Sequence, residues 1–355
     1  MRTRQLAAGS AELLVERHSP ASPAPITDHD LVTVVVPARD EAAFIGPCLD
    51  SILAQDEPNL QVIVVDGASS DRTREIVHGY MRRDPRIELL VNPAGIIPTS
   101  LNAALEAARG RWFVRVDAHA TVPPGYVRAT ASRLRTGRWG GVGGRKDGVG
   151  VTPAGRAIAA AMGSRFGVGN STYHYGRKAR AVEHIPFGAY PTSLARDLGG
   201  WDERCRVNQD FEFDYRVRKA GRSLLYDPVL AITWRCRQSI RDLFGQYLRY
   251  GRGKTFVARL HPGSLRWRHL MAPALVANMA AGICLSFVHP LLGAALVAPY
   301  ALALGMASVT TGRGLDRAAR LRVPAAFLAM HLGWGIGFWH GTGRVTLDVL
   351  RGRRA

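Results

Sequence analysis

Apolar and polar positions along this chain follow two regimes. From Leu31 to Val116, short apolar runs rich in β-branched residues recur between longer amphipathic stretches. Leu31 to Val36, Val62 to Val65, Ile87 to Val91 and Trp112 to Val116 predict strands buried on both faces. Between them Ile45, Cys48, Leu49, Ile52 and Leu53 recur at helical spacing, as do Ile76, Val77, Tyr80 and Met81, and then Leu101, Leu105 and Ala108. Strand and helix in alternation predict a mostly parallel sheet with right-handed crossovers. Gly141 to Gly200 is glycine-rich and yields no clear element. A helix from Asp210 to Ala220, ended by Gly221, and two short strands near Leu224 and Val229 are expected after it.

The second regime begins at Ser239. Ser239 to Leu260 reads as an amphipathic helix, with Ile240, Leu243, Phe244, Tyr247 and Leu248 on one face and arginines opposite, the pattern of a helix lying on a bilayer. Met271 to His289 and Leu291 to Thr311 hold no charged residue, and each is long enough to cross about 30 Å of hydrocarbon. Pro290 marks a turn between them. Val323 to Trp339 is weaker, because it carries His331 and several glycines. The competing reading of these runs is a buried all-helical soluble domain. At the other end, Leu13 to Val15 is too short for the core of a signal peptide, and Glu12, Glu16 and Arg17 flank it. SPASPAP at 19–25 has the composition of a disordered segment. The expected organisation is therefore a disordered lead-in over 1–30, a catalytic domain over 31–238, an interfacial helix region over 239–268, a membrane anchor over 269–342 and a basic tail over 343–355.

Charge adds little. The formal net charge is +19, and four of the 47 basic residues are lysine. Nucleic acid, an anionic membrane surface and acidic small molecules would all suit it, but no interleaved basic and aromatic stripe or binding motif supports nucleic acid. Cys48, Cys205, Cys236 and Cys284 form no CxxC pair and no zinc spacing, which predicts reduced, buried thiols.

The candidate chemistry lies where an open parallel sheet binds ligands, outside the carboxyl ends of its strands. Arg39, Asp40 and Glu41 follow the first strand, Asp66 ends the second, and Asp117 and His119 follow the fourth. One carboxylate there would read as a cap or turn; several converging on one edge read as a site. No GxGxxG turn follows the first strand, and P-loop, GxSxG and HExxH patterns are missing.

Four segments, VTVVVPARDEAAFIGPCLDSI, VIVVDGASSDRT, VRVDAHA and FGAYPTSLARDLGGWDE with NQDFEFDYRVRKAG, resemble the family 2 glycosyltransferases in content and order, over about residues 31–260. The resemblance implies an α/β GT-A fold, the fold of nucleotide-diphospho-sugar transferases, followed here by the interfacial helix and C-terminal transmembrane helices. Within that family the chain is most similar to exopolysaccharide enzymes of the succinoglycan-glucosyltransferase type. By resemblance Pro37, Arg39 and Glu41 line the nucleotide pocket, Asp66 meets the base edge, and Gly67 and Ser69 hold the ribose. A plain strand-to-helix turn is the alternative for the last two. Asp117 and His119 stand at the DxD motif and imply a divalent metal, with Mn²⁺ favoured over Mg²⁺ by the imidazole; a packing histidine is the alternative for His119. Asp210, beside Gln209, stands where the family carries its catalytic base, and a helix N-terminal aspartate is its alternative. Trp201, Asp202 and Glu203 would lie beside sugar and acceptor, with a structural turn as the equal alternative. Gln246, Arg249 and Tyr250 resemble the QxxRW motif of membrane synthases, where a cation could hold the diphosphate; an arginine facing lipid headgroups is the alternative.

These readings lead to an inverting hexosyltransferase. It takes a nucleoside-diphosphate sugar, expected to be UDP-linked, and glycosylates a lipid-linked saccharide in exopolysaccharide or cell-envelope glycan synthesis. Its partners are the sugar nucleotide, the lipid-linked acceptor and membrane lipids, with no nucleic acid. The expected location is the inner membrane, multi-pass, with the catalytic domain cytoplasmic and the third apolar segment either spanning or re-entrant. The rivals are transfer to a polyprenyl phosphate and an inactive membrane scaffold. Intact Asp66, Asp117 and Asp210 argue against the scaffold.

Overall fold

The computed structural model describes residues 2–6, 13–17 and 31–351. The chain divides into two compact units. The first joins the chain up to Lys146 to Gly176–Trp234, and the second joins Asp147–Tyr175 to the chain from Arg235 onward. The sequence-based boundary at 238 lies close to the second junction, but the inserted stretch 147–175 was not foreseen as part of the C-terminal unit.

The first unit is an α/β fold on one mixed sheet. Its parallel heart is β3 (Val32–Ala38), β4 (Leu60–Asp66), β5 (Ile87–Val91) and β6 (Trp112–Arg115), in the order β5-β4-β3-β6. These are the four β-branched runs seen in the sequence, and β4 and β5 are buried at every position. α1 (Ile45–Leu53), α2 (Thr73–Met81) and α3 (Ile97–Ala107) connect them; α1 buries Ile45, Cys48, Leu49 and Ile52, α2 buries Val77 and Met81 with Ile76 and Tyr80 half-buried, and α3 buries Leu101 and Leu105. Strand order reverses between β3 and its neighbours β4 and β6, which opens a crevice at the carboxyl edge. One core cluster gathers Val35, Ile63, Val65 and Leu90 of the sheet with Leu101 and Ala104 of α3, and with Tyr190, Trp201 and Phe213 from the later chain.

Beyond β6 the sheet turns antiparallel. β7 (Ala120–Thr121), α4 (Tyr126–Arg135), β8 (Trp139–Val149), β9 (Arg180–Val182) and β10 (Ala189–Pro191) precede α7 (Thr192–Asp197), α8 (Gln209–Lys219) and β11 (Ser223–Arg235). The sheet continues β6-β10-β8-β11-β7, with β9 on β11. The glycine-rich stretch thus contains the long strand β8. Its glycines serve close approach: a Cβ on Gly144 would stand 1.5 Å from the Leu230 carbonyl oxygen, and one on Gly141 would stand 2.7 Å from the Tyr190 ring. The two short strands expected near Leu224 and Val229 are the single strand β11.

The lead-in also departs from expectation. β1 (Arg2–Leu6) and β2 (Leu13–Arg17) pair antiparallel, and β2 pairs antiparallel with β5. An otherwise open sheet edge, with a full row of backbone donors and acceptors, is what such a strand completes. The SPASPAP segment lies outside the described residues.

The second unit is helical: α5 (Pro153–Met162), α6 (Arg165–Val168), α9 (Ile240–Leu260), α10 (Met271–Ser286), α11 (Pro290–Thr311), α12 (Arg317–Arg320) and α13 (Val323–Leu350). Three stretches, Trp267–Ser286, Pro290–Thr311 and Arg317–Asp348, are long and apolar enough to cross a membrane. At 28 residues α13 extends to about 42 Å at 1.5 Å per residue, well past the Trp339 limit expected for the third apolar segment. α10 and α11 leave Phe287, Leu291, Leu302, Met306 and Val309 exposed, surface that calls for an apolar surrounding.

One expectation is corrected here. The apolar face of α9 does not lie open to a bilayer, because α13 covers it. The glycines that weakened the third apolar segment in sequence make the contact: a Cβ on Gly337 would meet the Leu248 carbonyl oxygen at 2.1 Å, and one on Gly341 the Thr255 hydroxyl at 2.2 Å. Gly251 of α9 answers them, 2.1 Å from the Trp334 carbonyl by the same construction. Small residues let two helix backbones touch, and the gain is dispersion along the whole seam.

Candidate active site

The site is built at the carboxyl edge of the parallel strands. After β3, Arg39, Asp40 and Glu41 leave the sheet, with Asp40 at φ +55°. After β4, Asp66 opens a second loop in which Ala68 takes φ +59°. The two loops are laced together. The Asp40 N–H donates to the Ser69 hydroxyl (2.9 Å), and Asp40 Oδ1 accepts from the Ser70 N–H (2.8 Å) and hydroxyl (3.0 Å). The Ala42 N–H reaches Asp71 (3.0 Å), and the Glu41 N–H reaches Thr73 (2.8 Å). The bonds from Ser70 hold the Asp40 carboxyl below its usual range. The Gly67 N–H donates to the Ala38 carbonyl at 2.7 Å, so the turn reading of Gly67 and Ser69 has direct structural partners.

Asp66 is fully buried. Its Oδ2 accepts from the Ser69 N–H at 3.2 Å and from Arg74 at 3.0 Å, while its Oδ1 is buried without any donor. A buried carboxylate oxygen left unpaired costs on the order of 1–3 kcal/mol, and a ligand N–H would relieve it. Pro37 and Arg39 flank this loop. Arg39 donates to the Gly95 carbonyl at 3.2 Å, so it ties two loops together as well as bordering the crevice.

The central feature was not singled out in the sequence. Arg115, 3% exposed in β6, spans two carboxylates: its Nε donates to Asp117 Oδ1 at 2.8 Å and its Nη1 to Asp210 Oδ1 at 2.5 Å. Burial alone would lower the guanidinium pKa, but Asp117 and Asp210 outweigh it and raise it. One buried cation thus gathers the DxD-type aspartate and the helix aspartate at one edge. Its guanidinium also lies over the Phe187 ring, 5.7 Å from the centroid, and Phe187 itself sits at φ +48°.

His119 turns its Nδ1 to Glu41 Oε1 at 2.9 Å. A carboxylate there favours the tautomer with the proton on Nδ1, which presents Nε2 as a lone pair. Glu41, which the resemblance assigns to the nucleotide pocket, is thus the carboxylate that meets His119. Among the described residues no group of three or more His, Cys, Asp and Glu side chains is placed to hold a metal. Asp117 and His119 supply two donors of suitable chemistry, which fits an ion completed by substrate oxygens and does not fit a closed protein cage.

Asp210 sits in the first turn of α8, after Asn208 at φ +61°. One turn on, Asp214 is fully buried and accepts from Tyr190 (2.8 Å) and the Ile185 N–H (2.9 Å), with His184 Nδ1 at 2.7 Å. Burial pushes its carboxyl above the usual range, against the pull of those donors. Glu212 pairs with Arg216, which also donates to the carbonyls of Leu198 and Gly200, both at 2.7 Å. These bonds fix the helix that presents Asp210.

Of the two readings left open for the Trp201 loop, the ring's burial fits the turn. Trp201 is 2% exposed and stacks on Phe213 with centroids 4.4 Å apart, so its ring belongs to the core. Asp202 is held by Arg204 at 2.7 Å, which draws its carboxyl down, and Glu203 accepts from Asn102 at 3.0 Å. The loop is a structural turn. In the second unit, Gln246 is buried and donates to the Tyr250 hydroxyl at 2.9 Å, while Arg249 is exposed.

Comparison with known proteins agrees with this fold. The model of the family Glycosyl transferase family 2 matches residues 33–197. Succinoglycan biosynthesis protein ExoA of Rhizobium meliloti (strain 1021) is 32% identical over 330 residues, covering 90% of this chain and 96% of that protein. A dolichyl N-acetyl-alpha-D-glucosaminyl phosphate 3-beta-D-2,3-diacetamido-2,3-dideoxy-beta-D-glucuronosyltransferase of Methanococcus voltae is 23% identical over 248 residues, covering 67% of this chain and 77% of its own. Among solved structures, the mannosyltransferase PcManGT from Pyrobaculum calidifontis, in complex with GDP-Man and Mn²⁺, shares the fold with a TM-score of 0.55 at 21% identity, over 89% of this chain and 90% of that one. S. aureus TarS 1-349 in complex with UDP-GlcNAc gives 0.51 at 15% identity, over 88% and 92%.

Proposed function

The chain belongs to glycosyl transferase family 2, and from that membership we propose that it is an inverting hexosyltransferase. In this reading it moves a hexose from a nucleoside-diphosphate sugar, UDP-linked, to a lipid-linked saccharide during exopolysaccharide or cell-envelope glycan synthesis. The observation that carries the reading is the Arg115 bridge, which brings Asp117 and Asp210 to one edge of the sheet.

Asp210 is the base. Its Oδ1 is taken by Arg115, so Oδ2 accepts the proton of the acceptor hydroxyl. That hydroxyl oxygen bonds to the anomeric carbon as the bond from that carbon to the diphosphate oxygen breaks on the opposite face, and the nucleoside diphosphate leaves. Asp66 Oδ1, buried and unpaired, accepts from the base of the nucleotide. Asp117 and His119 would hold a divalent metal, which when bound neutralises charge on the diphosphate. Arg115 keeps Asp210 and Asp117 oriented, and Glu41 holds the His119 ring. The three apolar stretches anchor the protein in the inner membrane with the catalytic unit on the cytoplasmic side, where sugar nucleotides are made. The third stretch either spans or is re-entrant, and a full crossing would place Arg344 and Arg351 outside, against the usual charge bias.

The test uses the full chain in detergent. A panel of nucleotide sugars is screened for donor hydrolysis, and Asp210→Asn is compared with wild type. Asp210→Asn should bind donor nearly as well and lose turnover by a factor on the order of 10² to 10⁴. Wild-type turnover in that variant would remove Asp210 as the base, and binding of no sugar nucleotide would remove the donor class.

A further inference from the structure

We propose that a cavity at the amino edge of β6, the far end of that strand from Asp117, is a second ligand site that takes an anionic monosaccharide, a hexose phosphate or a uronate. The inference stands apart from the donor and the base assigned above. The sheet register builds the cavity. Pro191 at the end of β10 is the partner of Trp112 at the start of β6, and the Thr192 N–H donates to the Arg111 carbonyl at 2.9 Å. On its other side β10 pairs Ala189 with Val142, so two antiparallel steps bring Pro191 level with Gly140, next to Trp139. Gly140 in turn lies against the turn that leads into β11: a Cβ on it would stand 2.4 Å from the Arg222 Cβ. Arg111, Trp112, Trp139 and Arg222 therefore line one cavity. From Trp112 to Asp117 the chain runs about 16 Å at roughly 3.3 Å per strand residue, so the catalytic crevice is a separate place.

The cavity has a volume of about 240 Å³, and Asp197 also lines it. Sites for drug-sized ligands run to roughly 300–1,000 Å³, so this one suits a single substituted sugar ring better than a whole nucleotide. The Arg111 guanidinium lies over the Trp112 ring, 4.8 Å from its centroid. Stacking of this kind uses the flat face of the guanidinium and leaves its in-plane N–H fork for a carboxylate or phosphate. Arg111 and Arg222 are both exposed, and among the described residues neither has a carboxylate partner. Trp112 is buried, and among the described residues its indole N–H has no acceptor. A buried donor left unpaired is costly, and a ligand oxygen would meet it. Asp197 supplies the opposite character, since a carboxylate repels a bare anion but accepts from sugar hydroxyls. An anion that carries hydroxyls matches this set, and a simple anion does not. The bland alternative is a hollow between strand ends whose arginines only face water.

Calorimetric titration of the full chain in detergent separates the two. The probes are glucose 6-phosphate, glucuronate, glucose and inorganic phosphate, and the proteins are wild type, Arg222→Gln, Trp112→Phe and Asp117→Asn. At least one acidic sugar should bind wild type roughly 10-fold more tightly than glucose or phosphate does, and the better of the two names the anion. Arg222→Gln removes an exposed charge and should weaken that sugar by about 10- to 100-fold. Trp112→Phe keeps an aromatic ring but removes the N–H, and should cost roughly 3- to 10-fold. Asp117→Asn, at the other end of β6, should leave the affinity within about twofold. Unchanged affinity in Arg222→Gln would overturn the inference. So would a loss in Asp117→Asn, which would put the sugar in the catalytic crevice, and so would phosphate binding as tightly as either acidic sugar. Failure of wild type to bind both acidic sugars would also end it, while donor hydrolysis, read separately, would still decide the proposed transfer reaction.

Discussion

Replacing Arg115 with methionine is the sharpest test of how this edge is held together. The side chain is 3% exposed and bonds two carboxylates, at 2.8 Å and 2.5 Å. Removing one partner of a buried ion pair costs about 3–5 kcal/mol, because the remaining charge stays buried and unpaired. Asp117 faces most of that penalty. The Asp210 side chain keeps 20% of its surface exposed and regains water, so an estimate near the lower end, about 3 kcal/mol, is appropriate. For a unit of this size each kcal/mol moves Tm by about 2–4 °C, which gives a fall of roughly 6–12 °C. Turnover should fall by about 10²-fold more than saturation explains, since a base misplaced by about 1 Å loses that much. Arg115→Lys keeps the charge but cannot fork to both acids, and should fall between the two. The assay is a melting curve and donor-saturated turnover on the same detergent preparation. An Arg115→Met protein that melts within about 2 °C of wild type and keeps its turnover would refute the bridge as a structural and positioning element.

Further outcomes follow from the same geometry. Excess EDTA should abolish donor hydrolysis and Mn²⁺ should restore it better than Mg²⁺, with His119→Asp shifting preference toward Mg²⁺; full activity under chelation would remove the metal, and an unchanged preference would remove His119 as a ligand. Gly337→Val forces a Cβ against the Leu248 carbonyl, 2.1 Å away before relaxation, and should cost about 1–3 kcal/mol in overpacking, read as protease sensitivity of α9 with unchanged cleavage of α4. Cys48 and Cys205 should resist maleimide at pH 8 in the native state: burial pushes both thiols up, Cys205 to about 12, and rapid labelling of either would show that its cover opens.

Much of this fold could be read from the chain because the parallel strands are buried on both faces. Val32, Val34, Val62 and Val64 can only be β-branched core, and the acids that end those strands can only face the crevice. Asp66 and Asp117 were visible for that reason, whereas Asp210, in the first turn of α8, was visible only through the family resemblance. Arg115 was passed over because it looks like one polar residue in an alternating strand, although an arginine inside a run such as VRVD implies a buried anion to meet it. β8 was hidden because glycine is depleted in strands, and its glycines answer to Leu230 and Tyr190, which are remote in sequence. Trp201 was left between two readings because its loop is polar on either side, while its ring fills a core that only the packing of Phe113 and Phe213 defines. The polar face of α9 gave no hint that its apolar face had a helical partner some 80 residues away, since the complementary signal on α13 is glycine, which hydropathy counts as nearly nothing.

The discontinuity of the helical unit sets an order of events during synthesis. α5 packs on α12 and α13, and Arg156 near its start pairs with Asp316 at 2.8 Å. About 160 residues separate Met162 from Val323, so at roughly 5–20 residues per second α5 waits about 8–32 s for its partners. Through that interval Ala157, Ile158, Ala161 and Met162, all buried in the finished protein, belong to a helix that has α6 and later α9 but still lacks α12 and α13. The strands on either side of α5 can meanwhile pair, holding it as a loop on a nearly complete sheet. A ribosome stalled before α13 would therefore display a sticky helix on an otherwise finished catalytic unit, and quality-control proteases would find their first cut there.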